Sequence, residues 1–400
     1  MARHTFRGSF LEALVVCAGL VVPHAAVSQN PPAGLEIGGV PAINFDSDEG
    51  FGYGALVELY QYGQEGLSPY VWSLRPTVFL TTEGRRDFTA FFDAPHLFSD
   101  GWRFDVFLGS EKQFATPYYG TGNDSSYDEQ LDDDQGPNPF FYRFGRTRRS
   151  ATLNLQHDIS DTPLRWLLGT GFVRTTVDPV PDNDGSTFYA EELGTPQTSD
   201  WSNYLRGGLV WDTRDRETGP RSGVWTEILL QRVDASLGAD WSYTRWTFTD
   251  RRYFSLGRRL VFAHRYLLQG VGEGAPVHDL FQVQSSFRQQ EGLGGSKTVR
   301  GVLKNRFVGR GMLVWNAELR WRAADFTLVG RSFHLVLSAF VDQGRVWEDN
   351  VKLDELLTDL HRGFGGGVRV GMGENFIVSL DVGRSEGAGM PLYIGLGYLY

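Results

Sequence analysis

Hydrophobic and polar residues alternate one for one along much of this chain, most plainly in its last third. In residues 311–323, Leu313, Trp315, Ala317, Leu319 and Trp321 share one face, and Val314, Asn316, Glu318, Arg320 and Arg322 share the other. Residues 333–343 set Leu335, Leu337, Ala339 and Val341 against His334, Val336, Ser338, Phe340 and Asp342. Residues 375–384 set Phe376, Val378, Leu380 and Val382 against Ile377, Ser379, Asp381 and Gly383. The final segment puts Leu392, Ile394, Leu396, Tyr398 and Tyr400 on one face. Successive side chains of a strand point to opposite sides, so a period of two predicts strands, whereas a helix would mix the two sets. The same alternation recurs earlier, as in Trp102, Phe104, Val106 and Leu108 against Arg103 and Asp105, or Trp201, Leu205, Leu209 and Trp211 against Tyr204, Arg206 and Asp212.

The pattern predicts sixteen strands: 37–45, 51–62, 70–81, 86–93, 101–111, 148–158, 164–176, 201–213, 223–233, 241–253, 259–270, 311–323, 333–343, 363–372, 375–384 and 391–400. Many are near the roughly ten residues a tilted strand needs to cross a bilayer. Connections alternate in length. Those at 112–147, 177–200, 271–310 and 344–362 are long, and those at 94–100, 159–163, 254–258 and 373–374 are short. An all-β, transmembrane antiparallel barrel has this asymmetry, with long outer loops and short periplasmic turns. An even strand count puts both ends of the barrel on the periplasmic side.

Composition then sharpens the picture. Mean hydropathy is −0.28, which suits a barrel, because only every second strand residue must meet lipid. The first 28 residues read as a secretory signal: Arg3 and Arg7, an apolar run from Leu11 to Val22 interrupted by Glu12, then Ala26 and Ser28 before Gln29. Residues 29–35 form a short periplasmic lead, and 36–400 form the barrel. The single cysteine, Cys17, lies in the signal, so the exported chain is expected to use neither disulfides nor thiolate ligands. A formal net charge of −10 argues against nucleic acid as a partner.

No enzyme constellation or metal spacing is found among His96, His157, His264, His278, His334 and His361. Neither a cofactor nor a metal is expected. Asp182-Asn183-Asp184-Gly185 and Asp132 to Asp134 read as solvated acidic loops rather than calcium sites.

Three motifs exceed what a generic barrel needs. They are Gly294-Gly295-Ser296-Lys297-Thr298-Val299-Arg300-Gly301 in the longest connection, Phe340-Val341-Asp342-Gln343-Gly344-Arg345-Val346-Trp347, and Asp212-Thr213-Arg214-Asp215-Arg216 with Pro220 and Gly223. Together they resemble the BamA-type superfamily of outer-membrane assembly and translocation barrels, also called the bacterial surface antigen family. Tyr118-Tyr119-Gly120-Thr121-Gly122-Asn123 resembles a segment of its short members. The resemblance implies that residues 271–310 fold back into the lumen, with Arg300 clamped to Asp342 and Glu318 on the wall. Parity agrees, since Glu318 and Asp342 fall on the polar face of neighbouring strands. Two such carboxylates repel unless a cation lies between them, and an arginine fork can serve both. Val302 stands where the family pattern carries an aromatic, which predicts a smaller apolar tip.

The resemblance further implies insertion or translocation of proteins or lipids through a seam between the first and last strands. Gly38, Gly39 and Pro41 make a poor edge there, facing Tyr398 and Tyr400. Only about seven residues separate Gln29 from the first strand, so this is expected to be a barrel-only member without periplasmic POTRA domains. Expected partners are outer-membrane lipids and lipopolysaccharide, unfolded outer-membrane protein clients, and a periplasmic protein supplying the missing arm. The alternatives are a passive or gated pore and, more remotely, an outer-membrane hydrolase.

Overall fold

The computed structural model describes residues 34–46, 50–63, 69–82, 84–96, 101–132, 138–181, 185–286, 290–328, 331–372, 376–386 and 389–400. The expected signal, most of the lead, and Asp133, Asp134 and Asp182 to Asp184 lie outside these. The wall strands are β1 (Gly34–Asp46), β2 (Gly50–Tyr62), β3 (Trp72–Thr81), β4 (Arg86–Ala94), β5 (Trp102–Pro117), β6 (Arg143–Asp158), β7 (Leu164–Asp178), β8 (Thr198–Trp201), β9 (Tyr204–Asp212), β10 (Gly223–Val233), β11 (Tyr243–Ser255) and β12 (Leu260–Val271). A two-stranded ladder, β13 (Gln282–Val283) with β14 (Gln290–Glu291), interrupts them. The wall resumes with β15 (Gly311–Leu328), β16 (Arg331–Trp347), β17 (His361–Met372), β18 (Phe376–Ser385) and β19 (Leu392–Leu396). Two short helices, α1 (Phe188–Leu193) and α2 (Val277–Leu280), lie in connections.

Every wall strand pairs antiparallel with its neighbours in chain order. β8 and β9 both pair with β7, on consecutive stretches, so they are two pieces of one wall position broken at Ser202 and Asn203. The broken stretch is still held, by Ser202 N–H donating to the Val173 carbonyl and Val173 N–H donating to Asn203 Oδ1. The wall therefore has sixteen positions, as the alternation predicts.

Polarity is reversed relative to a water-soluble fold. Leu108, Leu168, Phe172, Leu205, Ile228, Leu230, Trp321 and Phe364 stand exposed on the outer surface. Arg103, Asp105, Arg148, Asn154, Arg206, Arg245, Arg265, Glu318 and Asp342 are buried inside it. Buried charges persist only when paired or hydrogen-bonded, so the interior has to be a connected polar network.

Several strands run beyond their expected ends. β5 and β6 extend to Pro117 and from Arg143, which shortens the connection expected at 112–147. A register shift between Gln113 and Thr116 breaks the alternation there, so the pattern stops before the ladder does. β1 begins at Gly34, inside the expected lead.

The last strand requires a correction. β19 ends at Leu396, and Gly397 takes a left-handed φ of 78°. Tyr398 and Tyr400 therefore leave the seam and enter the lumen. The Tyr400 hydroxyl donates to the Ala263 carbonyl at 3.1 Å, and Arg320 Nη2 donates to the Tyr400 carbonyl at 3.0 Å. The Arg320 guanidinium also lies 4.1 Å from the centre of the Tyr398 ring. A positive φ that suits only glycine turns the tail inward, and buried arginine then offers both rings a cation–π partner.

Candidate functional site

The connection between β12 and β15 enters the lumen and is fastened from three sides. Thr298 organises its tip: Gly294 N–H donates to Thr298 Oγ1 at 2.8 Å, and that hydroxyl faces the Gly292 and Gly294 carbonyls at 2.9 and 3.0 Å. Gly295 N–H donates to the Val302 carbonyl, closing the turn. Below it, Asn316 Nδ2 donates to the Thr298 carbonyl, and Arg265 Nη2 donates to the Lys297 carbonyl. Val299, Val302, Leu293 and Phe307 pack with Leu267, Val314 and Val346 of the wall. Val302 is thus buried in an apolar cluster, smaller than an aromatic but not empty.

Arg300 is the centre. Its main-chain N–H, Nε and Nη2 all donate to Asp342, at 3.1, 2.7 and 3.1 Å. Nη1 donates to Glu318 Oε2 at 2.9 Å and to Asp381 Oδ2 at 3.3 Å. Its guanidinium lies over the Phe340 ring, 3.4 Å from the centroid. Burial acts to lower the Arg300 pKa, but Asp342 first and Glu318 next outweigh it, holding the group well above its ordinary value.

The structure brings all the expected clamp residues together and adds others. Arg369 of β17 donates to Asp381 of β18 at 2.9 Å and approaches Glu318 at 3.5 Å. Arg320 donates to Glu318 at 2.8 Å. Three carboxylates thus meet three guanidinium groups across four neighbouring strands, β15 to β18. The sequence signal for Asp381 was its place on the polar face of residues 375–384, a parity signal with no motif attached.

Glycines let the loop lie against the wall. A Cβ on Gly363 would fall 1.8 Å from the Arg300 carbonyl oxygen, and one on Gly383 2.7 Å from Gly301 nitrogen. A Cβ on Gly344 would fall 2.4 Å from Leu293 Cδ1. Gly301 itself has φ 98°, and its N–H donates to the Tyr393 hydroxyl.

The Tyr118–Asn123 segment crosses the mouth on this side. Gly122 N–H donates to the Val308 carbonyl, and Val346 N–H donates to Asn123 Oδ1. Arg306 in turn donates to Ser125, and the Phe307 and His361 rings stack at 3.5 Å. The opposite mouth is filled by residues 213–222. Arg103 of β5 holds Glu217 of that turn at 2.7 Å as well as Asp93. A Cβ on Gly219 would lie 3.0 Å from the Tyr398 ring.

The seam differs from every other junction. β1 pairs with β2 over its whole length, Pro41 included. On its other side it lies beside β19, with Cα atoms within 8 Å, but no backbone ladder joins the two among the described residues. β19 itself pairs with β18 over only Leu392 to Leu396.

A sixteen-position antiparallel wall with an apolar outside, a charged inside and an inward loop defines a transmembrane outer-membrane β-barrel. The Omp85 superfamily domain matches residues 75–384, and the chain belongs to that superfamily. Comparison with the curated proteins found no match. Among solved structures the chain is similar to BamA from Haemophilus ducreyi lacking POTRA domains 1–3, at 14% identity and a TM-score of 0.57, over 92% of this chain and 70% of that one. It is also similar to CdiB from Escherichia coli, at 12% identity and a TM-score of 0.58, over 94% of this chain and 64% of that one. At these identities the likeness is one of fold. The chain spans about two thirds of the length of these structures.

Proposed function

We propose that this barrel inserts or translocates other proteins or lipids at the outer membrane, working at the junction of β1 and β19. The observation that carries this reading is that junction, a thirteen-residue strand beside a five-residue one without a ladder. An unpaired strand edge is a template for a client strand, which can add by β-augmentation. The Arg300 clamp supports the reading by fixing β15 to β18 around one loop, so that strain on opening falls on the seam.

In this proposal both barrel ends face the periplasm, residues 1–28 direct export, and a separate periplasmic protein brings clients to the barrel. Outer-membrane lipids and lipopolysaccharide surround it. The test is reconstitution: vesicles holding the purified protein should take up an unfolded outer-membrane β-barrel protein faster than empty vesicles. Equal rates, with or without a periplasmic extract, would overturn the proposal.

A further inference from the structure

We propose that the outward surface of β4 to β7, at the end where the long connections lie, binds the phosphate of a lipid headgroup. Two neighbouring rows of outward side chains make the site. One runs Arg86, Lys112, Thr147, Thr176 and Ser199 across five strands, each residue opposite the next in register. The other runs Phe88, Ser110, Arg149, Arg174 and Trp201 in the same way. Arg86 thus opposes Lys112, and Arg149 opposes Arg174. Like charges directly opposite each other destabilise a sheet, and neither row holds a carboxylate.

Three other outward arginines are neutralised within the chain, whereas Arg362 and Arg384 on β17 and β18 stand exposed without an ion pair among the described residues. Arg232 meets Asp234 at 2.6 Å, Arg252 meets Asp250 at 2.8 Å, and Arg322 meets Asp325 at 2.5 Å. Arg86, Lys112 and Arg149 have no ion pair or hydrogen bond among the described residues. Arg174 is held in place without being neutralised: its Nε donates to Ser199 Oγ at 3.0 Å, and its guanidinium lies 5.6 Å from the Trp201 ring. A cavity of about 270 Å³ opens between Thr147, Arg149, Arg174 and Thr176. Guanidinium forks flanked by hydroxyls are the side chains that bind phosphate through several charge-assisted hydrogen bonds.

Height on the wall selects the ligand. Below these rows the outward side chains are mostly apolar: Leu108, Ala151 and Phe172 in one row, then Val106 and Leu153 with Thr170, whose hydroxyl donates to the Tyr204 carbonyl, then Phe104, Leu155 and Leu168. The band ends at Trp102, His157 and Trp166, whose rings contact one another. From Trp102 to Ser110 and Lys112 the strand rises roughly 25 to 35 Å, and tilt reduces this to about 20 to 25 Å across the membrane. The cationic rows therefore stand at the far margin of the hydrocarbon, where headgroup phosphates lie, while acyl chains can run down Leu108, Leu153 and Phe172. The inference needs the wall to span a membrane. It does not need insertion activity, so a binding measurement fails separately from the function proposed above.

The experiment is native mass spectrometry of the full chain in detergent, titrated with phosphatidic acid, phosphatidylcholine or inorganic phosphate. The wild type should hold phosphatidic acid at least about tenfold more tightly than phosphatidylcholine, as expected for two or more charge-assisted hydrogen bonds. Combined Arg149→Gln and Arg174→Gln should abolish that preference, and Arg232→Gln should keep it. Inorganic phosphate should not displace the lipid at equal concentration. The single change Arg149→Gln should also raise the melting temperature in lipid-free detergent, because it removes a like-charge pair. No lipid preference, a preference surviving the double change, displacement by inorganic phosphate, or a lowered melting temperature would each overturn the proposal.

Discussion

Arg300 grips Asp342 through three separate nitrogen atoms, one of them its own main-chain N–H. The loop backbone and the loop side chain are therefore fixed by the same wall carboxylate. Replacing Arg300 with alanine leaves Asp342, Glu318 and part of Asp381 without their shared cation. Breaking a buried ion network in this way costs roughly 3 to 5 kcal/mol. We expect Arg300→Ala to lower the midpoint of heat or urea unfolding in detergent. In planar bilayers its conductance should be larger and steadier than the small, fluctuating openings expected of the wild type.

The wall glycines give a sharper test of the loop's position. Gly363→Ala would place a methyl group on the Arg300 carbonyl oxygen, and neither backbone can move far. The loop should lift, so limited trypsin digestion should gain a cut after Arg300, which is fully buried in the wild type. Gly395→Ala, whose added Cβ would come no closer than 3.5 Å to Ser379 Oγ, should leave the digestion pattern unchanged.

The turn at residues 213–222 predicts a second barrier to ions. Arg103 holds Glu217 there. Glu217→Ala alone should alter conductance little, because the Arg300 loop still fills the opposite side. Combined with Arg300→Ala it should give a conductance larger than the sum of the two single effects, since the barriers lie in series.

Acid should loosen the loop end before the rest. Asp279 of α2 accepts hydrogen bonds from Ser202 at 2.6 Å and Tyr243 at 2.8 Å. Burial acts to raise its pKa, but His278, then Arg245, then the Ser202 hydrogen bond hold it below its ordinary value of 3.8. His278 is lowered from 6.5, mainly by burial. A lowered carboxylate stabilises the fold above its unfolded pKa and loses that contribution as pH falls through its folded one. A lowered histidine binds protons better when unfolded, so it also costs stability as pH falls below 6.5. Thermal stability should fall on both counts from near-neutral pH toward about pH 3. Asp279→Asn should flatten the acid part of that curve.

The wall was legible because lipid and lumen impose opposite demands on alternate residues. Trp315, Leu319 and Trp321 declared one face, and Glu318 with Asp342 declared the other. Arg300, Glu318 and Asp342 could be singled out because the arginine sits in a glycine-rich motif that resembles a family pattern and the two carboxylates share the polar face of neighbouring strands. What escaped was set by single residues or by distance along the chain. Gly397 turns Tyr398 and Tyr400 inward, although their spacing continues the strand pattern perfectly well. Asp381 meets Arg300, and Arg369 meets Asp381 and Glu318, only through the register of strands that lie 69 to 81 residues beyond Arg300. The turn at residues 213–222 held a visible motif, but nothing local shows that Glu217 reaches Arg103 on a strand over a hundred residues earlier.

The central claim is that the junction of β1 and β19 opens to act. The sequence has one cysteine, Cys17, which is replaced by serine so that no native thiol competes. We would place cysteine pairs across the junction, one within Gly34–Asp46 and one within Leu392–Leu396, and measure client insertion into vesicles with each pair oxidised and then reduced. The account predicts that oxidation stops insertion and reduction restores it. Full insertion by a barrel shown to be completely cross-linked would contradict it.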